Sequence, residues 1–240
     1  TPICMGGKDK WPVHFVWTHL HIRNGGKGLF LESLNNGGWD RPEYIRSGEQ
    51  MLELVELEPF QKGWLAATWP DQAGFFGDGK CAMAFMGNWM YGAQASNSAS
   101  GEGLADANMG MFNMPMTSGG IGDSGDTLGG INGWLFSSTA SDAAVELMMH
   151  YVSLDIQKED ASNGAYIPIV KGADGSLTNP FLQQVAKNIS NSEYHQIFYD
   201  QFLGADIGRV VNDVSTDLAA GIISAEEATQ AVQEAWEFNQ

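Results

Sequence analysis

Short apolar runs that end at glycine or proline alternate along this chain with longer segments of helical periodicity. Residues 81–86, 109–114 and 131–136 are such runs, and each has the length of a buried strand. After residue 141, by contrast, apolar residues recur at the i, i+3, i+4, i+7 spacing of one helix face. Short strands mixed with many helices indicate an α/β fold, with a mostly helical C-terminal third.

Helix starts are marked by side chains that accept hydrogen bonds from the first free backbone amides. We expect helices to begin at five capping positions: Asp40, Ser141, Asn179, Ser192 and Ser224. The segment 13–22 is different, because its uniform apolar character fits either a helix or a buried strand. Asn24-Gly25-Gly26 is expected to end that element.

The net charge excludes several classes of partner. The chain has 29 acidic and 12 basic residues, which gives a formal charge of -17. A field of this sign repels phosphate backbones and anionic membrane surfaces, so we expect no nucleic acid partner. No apolar run reaches the ~18 residues of a membrane helix, so we expect no direct membrane insertion. Cys4 and Cys81 are too few to define a disulfide framework, and their pairing stays open.

The sequence contains no motif of nucleotide, metal or nucleophile chemistry. It has no GxxxxGK[ST] loop and no GxSxG elbow, and no predicted helix opens after the Gly119–Gly122 run. His19 and His21 are the only close histidine pair, without a third ligand nearby in sequence. We therefore expect no cofactor, no metal and no catalytic residue. Distant carboxylate pairs leave no local pattern, so a glycoside hydrolase stays as an alternative, beside a non-binding structural or interaction fragment.

The remaining sequence features indicate a binding site. The chain contains 8 Trp, 12 Phe and 6 Tyr together with 30 Gly, which suits a sugar with flat C–H faces and a rim of hydroxyls. Trp89 directly follows a predicted strand and a glycine. The cluster Gly129-Gly130-Ile131-Asn132-Gly133-Trp134 combines close backbone approach, an amide for hydroxyls and a stacking face. The same cluster also fits a tight turn before a core strand.

The order of four segments resembles a known family: AMAFMGNWM, GMFNMP, TLGGINGWLFSSTASDAAVELMMHYVS and NGAYIPIVKGA. From about Lys8 to Trp236, the chain resembles the C-terminal two-thirds of a family 1 extracellular solute-binding protein of a bacterial ABC sugar importer. The resemblance implies a periplasmic-binding-protein-like (type II) fold of two α/β lobes that close around a sugar by hinge bending. It also implies membrane permease subunits as partners, no enzymatic activity, and a periplasmic or extracellular location, with a cell-surface lipoprotein as one form.

The resemblance further implies which residues contact the sugar. Trp89 is expected to stack on a sugar ring. Gly129, Gly130 and Asn132 are expected to line the cleft from the opposite lobe, with Trp134 contributing there. Weaker candidates are Phe15, Trp17, Tyr166 and Asp213.

The implied domain organisation has three parts. Residues 1–106 form the first part of the second lobe, 107–158 cross the hinge to the first lobe, and 159–240 form the helical C-terminal part of the second lobe. The family's N-terminal segment, which builds most of the first lobe, is not in this sequence. We therefore expect residues 107–158 to lack partner strands, and the chain by itself to have reduced or no sugar affinity.

Overall fold

A computed structural model describes residues 1–240, which divide into two compact units. Unit 1 is Thr1–Gly130 with Ser192–Gln240, and unit 2 is Ile131–Asn191. In chain order the elements are β1 (Ile3–Cys4), α1 (Trp11–Asn36), α2 (Pro42–Glu56), α3 (Trp69–Gly77), β2 (Met83–Ala84), α4 (Met90–Ser96), β3 (Thr127–Gly129), α5 (Asp142–Tyr151), α6 (Leu154–Ser162), α7 (Pro180–Asn191), β4 (His195–Ile197), α8 (Tyr199–Phe202), α9 (Ala205–Ala219) and α10 (Ala225–Phe238). Helices α5, α6 and α7 make up unit 2, and all other elements belong to unit 1.

Helix α1 is the central element of unit 1. The segment 13–22, which fits a helix or a strand by sequence, is helical and buried on almost every side, as its uniform apolar character requires. Pro12 lies in the first turn, where its missing amide hydrogen is not needed. The predicted end at Gly26 is a kink with φ 60°, after which the helix continues to Asn36.

The core of unit 1 lies where α2, α9 and α10 pack against α1 and one another. Helices α2, α9 and α10 each contribute one apolar face, whereas α1 is buried nearly all round. The fully or almost fully buried residues include Val13, Val16, Trp17 and Leu20 of α1, Tyr44 and Met51 of α2, Ile207, Val211, Val214 and Leu218 of α9, and Ala228 and Val232 of α10.

Two pairs of short parallel strands complete unit 1. Strands β1 and β2 pair with Ile3 opposite Met83, and a disulfide joins Cys4 to Cys81 beside them. Strands β3 and β4 pair with Thr127 opposite His195. The disulfide settles the pairing that the sequence left open.

Arg23 fixes an irregular segment of unit 1 to α1. Its side chain is fully buried and donates hydrogen bonds to the carbonyl oxygens of Met114, Asp123, Ser124 and Asp126 at 2.9–3.3 Å. Four acceptors at these distances use the planar donor fork of the guanidinium group. Residues 114–126 are therefore anchored without a helix or strand of their own.

Unit 2 has a much smaller core. Its buried apolar residues are Ala161, Ala173, Leu177 and Leu182, and Ile167 and Ala186 pack against the cluster of Ala161, Leu177 and Leu182. The cap of α5 is confirmed, because the Ser141 hydroxyl accepts from the Ala144 amide. No residue of α5 is buried.

Several predicted boundaries are wrong. Arg41, not Asp40, precedes the first turn of α2, since Pro42 takes the first helical position. The predicted strand 81–86 shortens to β2, and 109–114 and 131–136 form no strand at all. A strand needs a second strand to accept its hydrogen bonds, and no segment pairs with either of these runs. Ser192 precedes strand β4 rather than a helix.

Candidate functional site

Five aromatic side chains from four parts of unit 1 meet at one place, which we call the aromatic platform. Its members are Trp11, Phe15, Trp69, Trp89 and Phe198. The two phenylalanines are buried, whereas the three tryptophans are partly exposed. The platform therefore offers indole surface to solvent over a fixed aromatic base.

Phe15 and Phe198 form that base. Their rings stack with centroids 4.2 Å apart and an interplanar angle of 13°. Phe15 lies in the second turn of α1, and Phe198 lies between β4 and α8. This stack joins two regions of the chain that are far apart in sequence.

Trp89 stands on this base with 37% of its surface exposed. Its ring centroid is 6.1 Å from both Phe15 and Phe198, with interplanar angles of 69° and 78°. Gly87 makes the position possible, because a Cβ atom there would lie 2.2 Å from the Trp89 ring. The indole is thus held edge-on by buried rings while part of its face stays free.

Trp11 and Trp69 extend the platform. The Trp11 centroid is 5.7 Å from that of Trp69 and 6.4 Å from that of Trp89. The Trp69 amide donates to Asp9 Oδ2 at 2.7 Å, which ties the start of α3 to the start of α1. A capping box formed by Thr68 and Asp71 fixes the same helix end.

Gly129 and Gly130 lie against the base of the platform. The Gly129 carbonyl accepts from the Phe198 amide at 2.8 Å. A Cβ atom on Gly130 would lie 2.9 Å from the Phe198 ring, and one on Gly129 would lie 2.6 Å from the His195 ring. Both glycines are therefore required for this close approach of backbone to aromatic side chains.

Asp213 is engaged in ion pairs. Its Oδ1 lies 2.6 Å from Lys10 Nζ, and its Oδ2 lies 3.2 Å from Arg209 Nη1. Lys10, directly before Trp11, has a left-handed φ of 64°. The carboxylate thus holds the chain at the entrance of α1 in addition to any contact with a ligand.

His14 is buried beside the platform base. Its ring centroid lies 4.9 Å from that of Phe15, and its Nε2 lies 3.7 Å from Asp200 Oδ1. Burial lowers the pKa of His14 to about 4, although the negative charge of Asp200 acts in the opposite direction. The imidazole is therefore uncharged at neutral pH, so the ring that packs against Phe15 is neutral.

Trp17 does not belong to the platform. It is fully buried in the core of unit 1, with its ring centroid 4.4 Å from that of His21. It offers no exposed face in this structure, so its role here is packing.

The remaining predicted site residues lie in unit 2. Asn132 and Trp134 are exposed, and the Trp134 ring centroid lies 6.0 Å from that of Tyr151. Tyr151 in turn lies 6.3 Å from Tyr166, whose hydroxyl donates to Asp160 Oδ2 at 2.5 Å. Unit 2 thus has a smaller aromatic group of its own.

Three members of the platform, Trp11, Trp69 and Phe198, are not among the site residues predicted from the sequence. Trp11 stands at i, i+4 from Phe15, so a firm helix assignment for this segment predicts that the two rings are neighbours. Phe198 carries no such signal, because its partners are about 110 to 180 residues away in sequence.

An open groove of about 680 Å³ lies elsewhere in unit 1, around the kink of α1. Its lining includes Lys27, Glu32, Arg41, Asp123 and Glu193. Charged groups of both signs line it, and Tyr194 is its only aromatic ring. We place the candidate site at the platform instead, because the platform, unlike this groove, offers several aromatic side chains.

Aromatic side chains of this kind are common in the lining of small-molecule binding sites. The chain belongs to the bacterial extracellular solute-binding protein family, whose sequence model matches residues 1–159. None of its helices is long and apolar enough to span a membrane. No curated protein matches the chain.

Solved structures share the fold. One, from work on xylan utilisation by the thermophilic bacterium Caldanaerobius polysaccharolyticus, is 23% identical with a TM-score of 0.82 over 98% of this chain and 60% of that one. A chitin oligosaccharide binding protein is 21% identical with a TM-score of 0.80, over 99% of this chain and 60% of that one. A sugar transporter from Bacillus licheniformis in complex with stachyose is 13% identical with a TM-score of 0.68, over 100% and 61%. The chain thus spans about three-fifths of the length of these proteins and has the periplasmic-binding-protein-like fold.

Proposed function

We propose that the chain is the main part of the sugar-binding component of an ABC importer, which delivers a carbohydrate to membrane permease subunits without changing it chemically. The observation that carries the proposal is the aromatic platform, in which three partly exposed indoles stand on a buried aromatic stack. The apolar C–H faces of a pyranose ring pack on such indoles, and each stack contributes about 0.5–1.5 kcal/mol.

The ligand is proposed to be a saccharide of more than one ring. Two lines of support favour this. Trp11, Trp69 and Trp89 provide three adjacent indoles, more than a single ring face requires. Two of the similar structures are a chitin oligosaccharide binding protein and a protein in complex with stachyose.

Hydroxyl groups of the sugar need hydrogen-bond partners, each of which contributes about 0.5–1.5 kcal/mol net. We propose the exposed backbone at Gly130 as one source in unit 1, since it borders Phe198. For unit 2 taken by itself, Asn132 and Trp134 are proposed as sugar contacts, with an exposed amide and an exposed indole that suit a polyol, and Tyr166 as a further aromatic contact.

The test is calorimetry of the full-length protein with xylo-oligosaccharides, chito-oligosaccharides, stachyose and their monosaccharides. We expect Trp89→Ala to weaken binding about tenfold or more, which corresponds to about 1.4 kcal/mol. Trp89→Phe retains a ring and is expected to lose less. Leu57→Ala changes an exposed apolar residue outside the platform and serves as the matched control.

Two results would contradict the proposal. One is unchanged affinity in Trp89→Ala with an intact fold by circular dichroism. The other is cleavage of any oligosaccharide during incubation, which would favour the glycoside hydrolase alternative.

A further inference from the structure

Three polar side chains lie in a row under the base of the aromatic platform. Asn212 Nδ2 of α9 donates to Asp200 Oδ2 of α8 at 3.2 Å. The other carboxylate oxygen, Asp200 Oδ1, lies 3.7 Å from Nε2 of His14 in α1. We call these three residues the polar bridge, because their side chains connect three helices of unit 1.

The α1 end of the polar bridge contacts both rings of the platform base. His14 directly precedes Phe15, and the two rings meet edge-on with centroids 4.9 Å apart and an angle of 73°. The imidazole is also edge-on to Phe198, at 6.2 Å and 86°. It is fully buried, so it has no free space around it. A shift of His14 therefore moves the rings on which Trp89 stands.

The other end of the polar bridge is fixed. Asp200 lies two positions after Phe198, in the first turn of α8. Helices α8 and α9 are in close backbone contact, because a Cβ atom on Gly208 would lie 2.4 Å from the Asp200 carbonyl oxygen. The hydrogen bond from Asn212 joins the same two helices. The contact between His14 and Asp200 is therefore the link that relates α1 to this fixed pair.

Stability alone does not account for polar groups at this place. His14 Nε2 and Asp200 Oδ1 are too far apart for a good hydrogen bond, and neither atom has another partner. Buried polar atoms in this state are costly, and apolar side chains of similar volume are often at least as stable. Polar contacts depend on direction and distance, however, so they specify one relative placement of the groups that carry them.

We propose that His14, Asp200 and Asn212 are positioning residues of the sugar site. They set the placement of the Phe15–Phe198 stack and, through it, the angle at which Trp89 meets a sugar ring. This role rests on the proposed function of the platform. A stacking face must be held by its supporting residues, so a small displacement of the base weakens the contact with the sugar.

Calorimetry of the full-length protein with stachyose, chitotriose and xylotriose tests this role. Asp200→Leu keeps a similar volume but removes both polar contacts, and the affinity for the sugars that bind is expected to fall about tenfold or more. Asp200→Asn keeps an acceptor for Asn212 and an amide that can face His14, so its affinity is expected to stay within about threefold of the parent. Asp206→Leu, at an exposed site of α9, is the matched control and is expected to leave the affinity unchanged.

A measurement without sugar separates this role from the proposed function. In the ¹H–¹⁵N NMR spectrum of the ligand-free protein, the indole N–H signal of Trp89 is expected to shift in Asp200→Leu and to stay in place in Asp200→Asn. The reason is that the rings of the platform base displace this signal by an amount that depends on their distance and angle. Trp236, whose indole donates to the Leu34 carbonyl oxygen near the other end of α1, is the internal control.

A second variant applies if Asp200→Leu does not fold. Asn212 is only partly buried, and Asn212→Leu removes the hydrogen bond that orients the Asp200 carboxylate. We expect the same shift of the Trp89 signal and a loss of about fivefold in affinity.

Three results would overturn the positioning role. The first is a folded Asp200→Leu protein with the affinity and the Trp89 signal of the parent. The second is a loss of affinity without any shift of the Trp89 signal. The third is an equal loss in Asp200→Asn and Asp200→Leu, which would assign the effect to the charge of Asp200. A parent protein that binds none of the sugars would instead contradict the proposed function, and the Trp89 signals would then decide whether the polar bridge orients the platform.

Discussion

Units 1 and 2 have similar local helix signals but bury very different amounts of apolar surface. In unit 1, four helices enclose a core of seventeen buried residues around α1. In unit 2, only four apolar residues are buried and none of them lies in α5, although α5 has a well-formed N-cap. The comparison teaches that capping and helical periodicity set where helices begin, whereas tertiary packing decides whether they are stable. It also predicts that substitutions in unit 1 will lower the free energy of unfolding, whereas comparable substitutions in unit 2 will hardly change it.

The largest expected effect concerns the disulfide of unit 1. Cys4→Ser with Cys81→Ser opens a link between residues 77 positions apart. We expect unit 1 to lose about 4 kcal/mol of unfolding free energy, because the unfolded chain regains the entropy that the link removes. Denaturant unfolding of α9, followed by segment-resolved hydrogen exchange, measures the loss.

Exchange in 142–151 is the internal control, and it should not change in the double variant. A loss below about 1 kcal/mol would show that the disulfide does not constrain the unfolded chain as assumed.

A matched pair of leucines tests the comparison directly. Leu218 of α9 is completely buried, whereas Leu147 of α5 is largely exposed. Leu218→Ala is expected to destabilise the chain by about 2–5 kcal/mol, because it leaves a cavity in the core. Leu147→Ala is expected to stay within about 0.5 kcal/mol of the parent.

Both values come from urea unfolding followed by tryptophan emission. Equal losses in the two variants would mean that α5 is packed in solution, which is inconsistent with the difference between the units.

The third prediction concerns acid. Burial lowers the pKa of His14 to about 4 and that of His21 to about 3, from an ordinary value of 6.5. Below pH 6.5 these histidines bind protons in the unfolded chain but not in the folded chain. The stability that they contribute is therefore fully present above pH 6.5 and is lost as the pH falls toward 4. Each histidine is expected to contribute a slope approaching about 1.4 kcal/mol per pH unit.

His21→Phe removes one titrating group from the core and should reduce that slope, as measured by urea unfolding across this range. His150→Gln removes an exposed histidine of α5 and is the matched control. A stability of unit 1 that does not vary over this range would show that both imidazoles are reached by solvent.

The features that could be predicted from the sequence are those that depend on neighbouring residues. The caps at Ser141, Asn179 and Ser224 are confirmed, since a cap involves a side chain and the amides two or three positions later. The family and its α/β fold are also confirmed. The roles of the individual site residues stay predictions.

The failures involve partners distant in sequence. The predicted strands 109–114 and 131–136 have the right composition, but a strand forms only when another strand lies beside it. Phe198 is invisible to sequence patterns for the same reason, because only the fold brings it to Phe15. Trp17 is buried in this structure, and its expected contact with a sugar stays a prediction.

Irregular backbone is commonly equated with looseness, and Arg23 shows why residues 114–126 are an exception. One guanidinium group gathers carbonyls from four residues of that segment onto the buried side of α1. A lysine there has a single ammonium group in place of the planar fork, so Arg23→Lys would release several attachment points together. The conformation of residues 114–126 therefore depends on a side chain of α1 that lies 91 to 103 residues away in sequence.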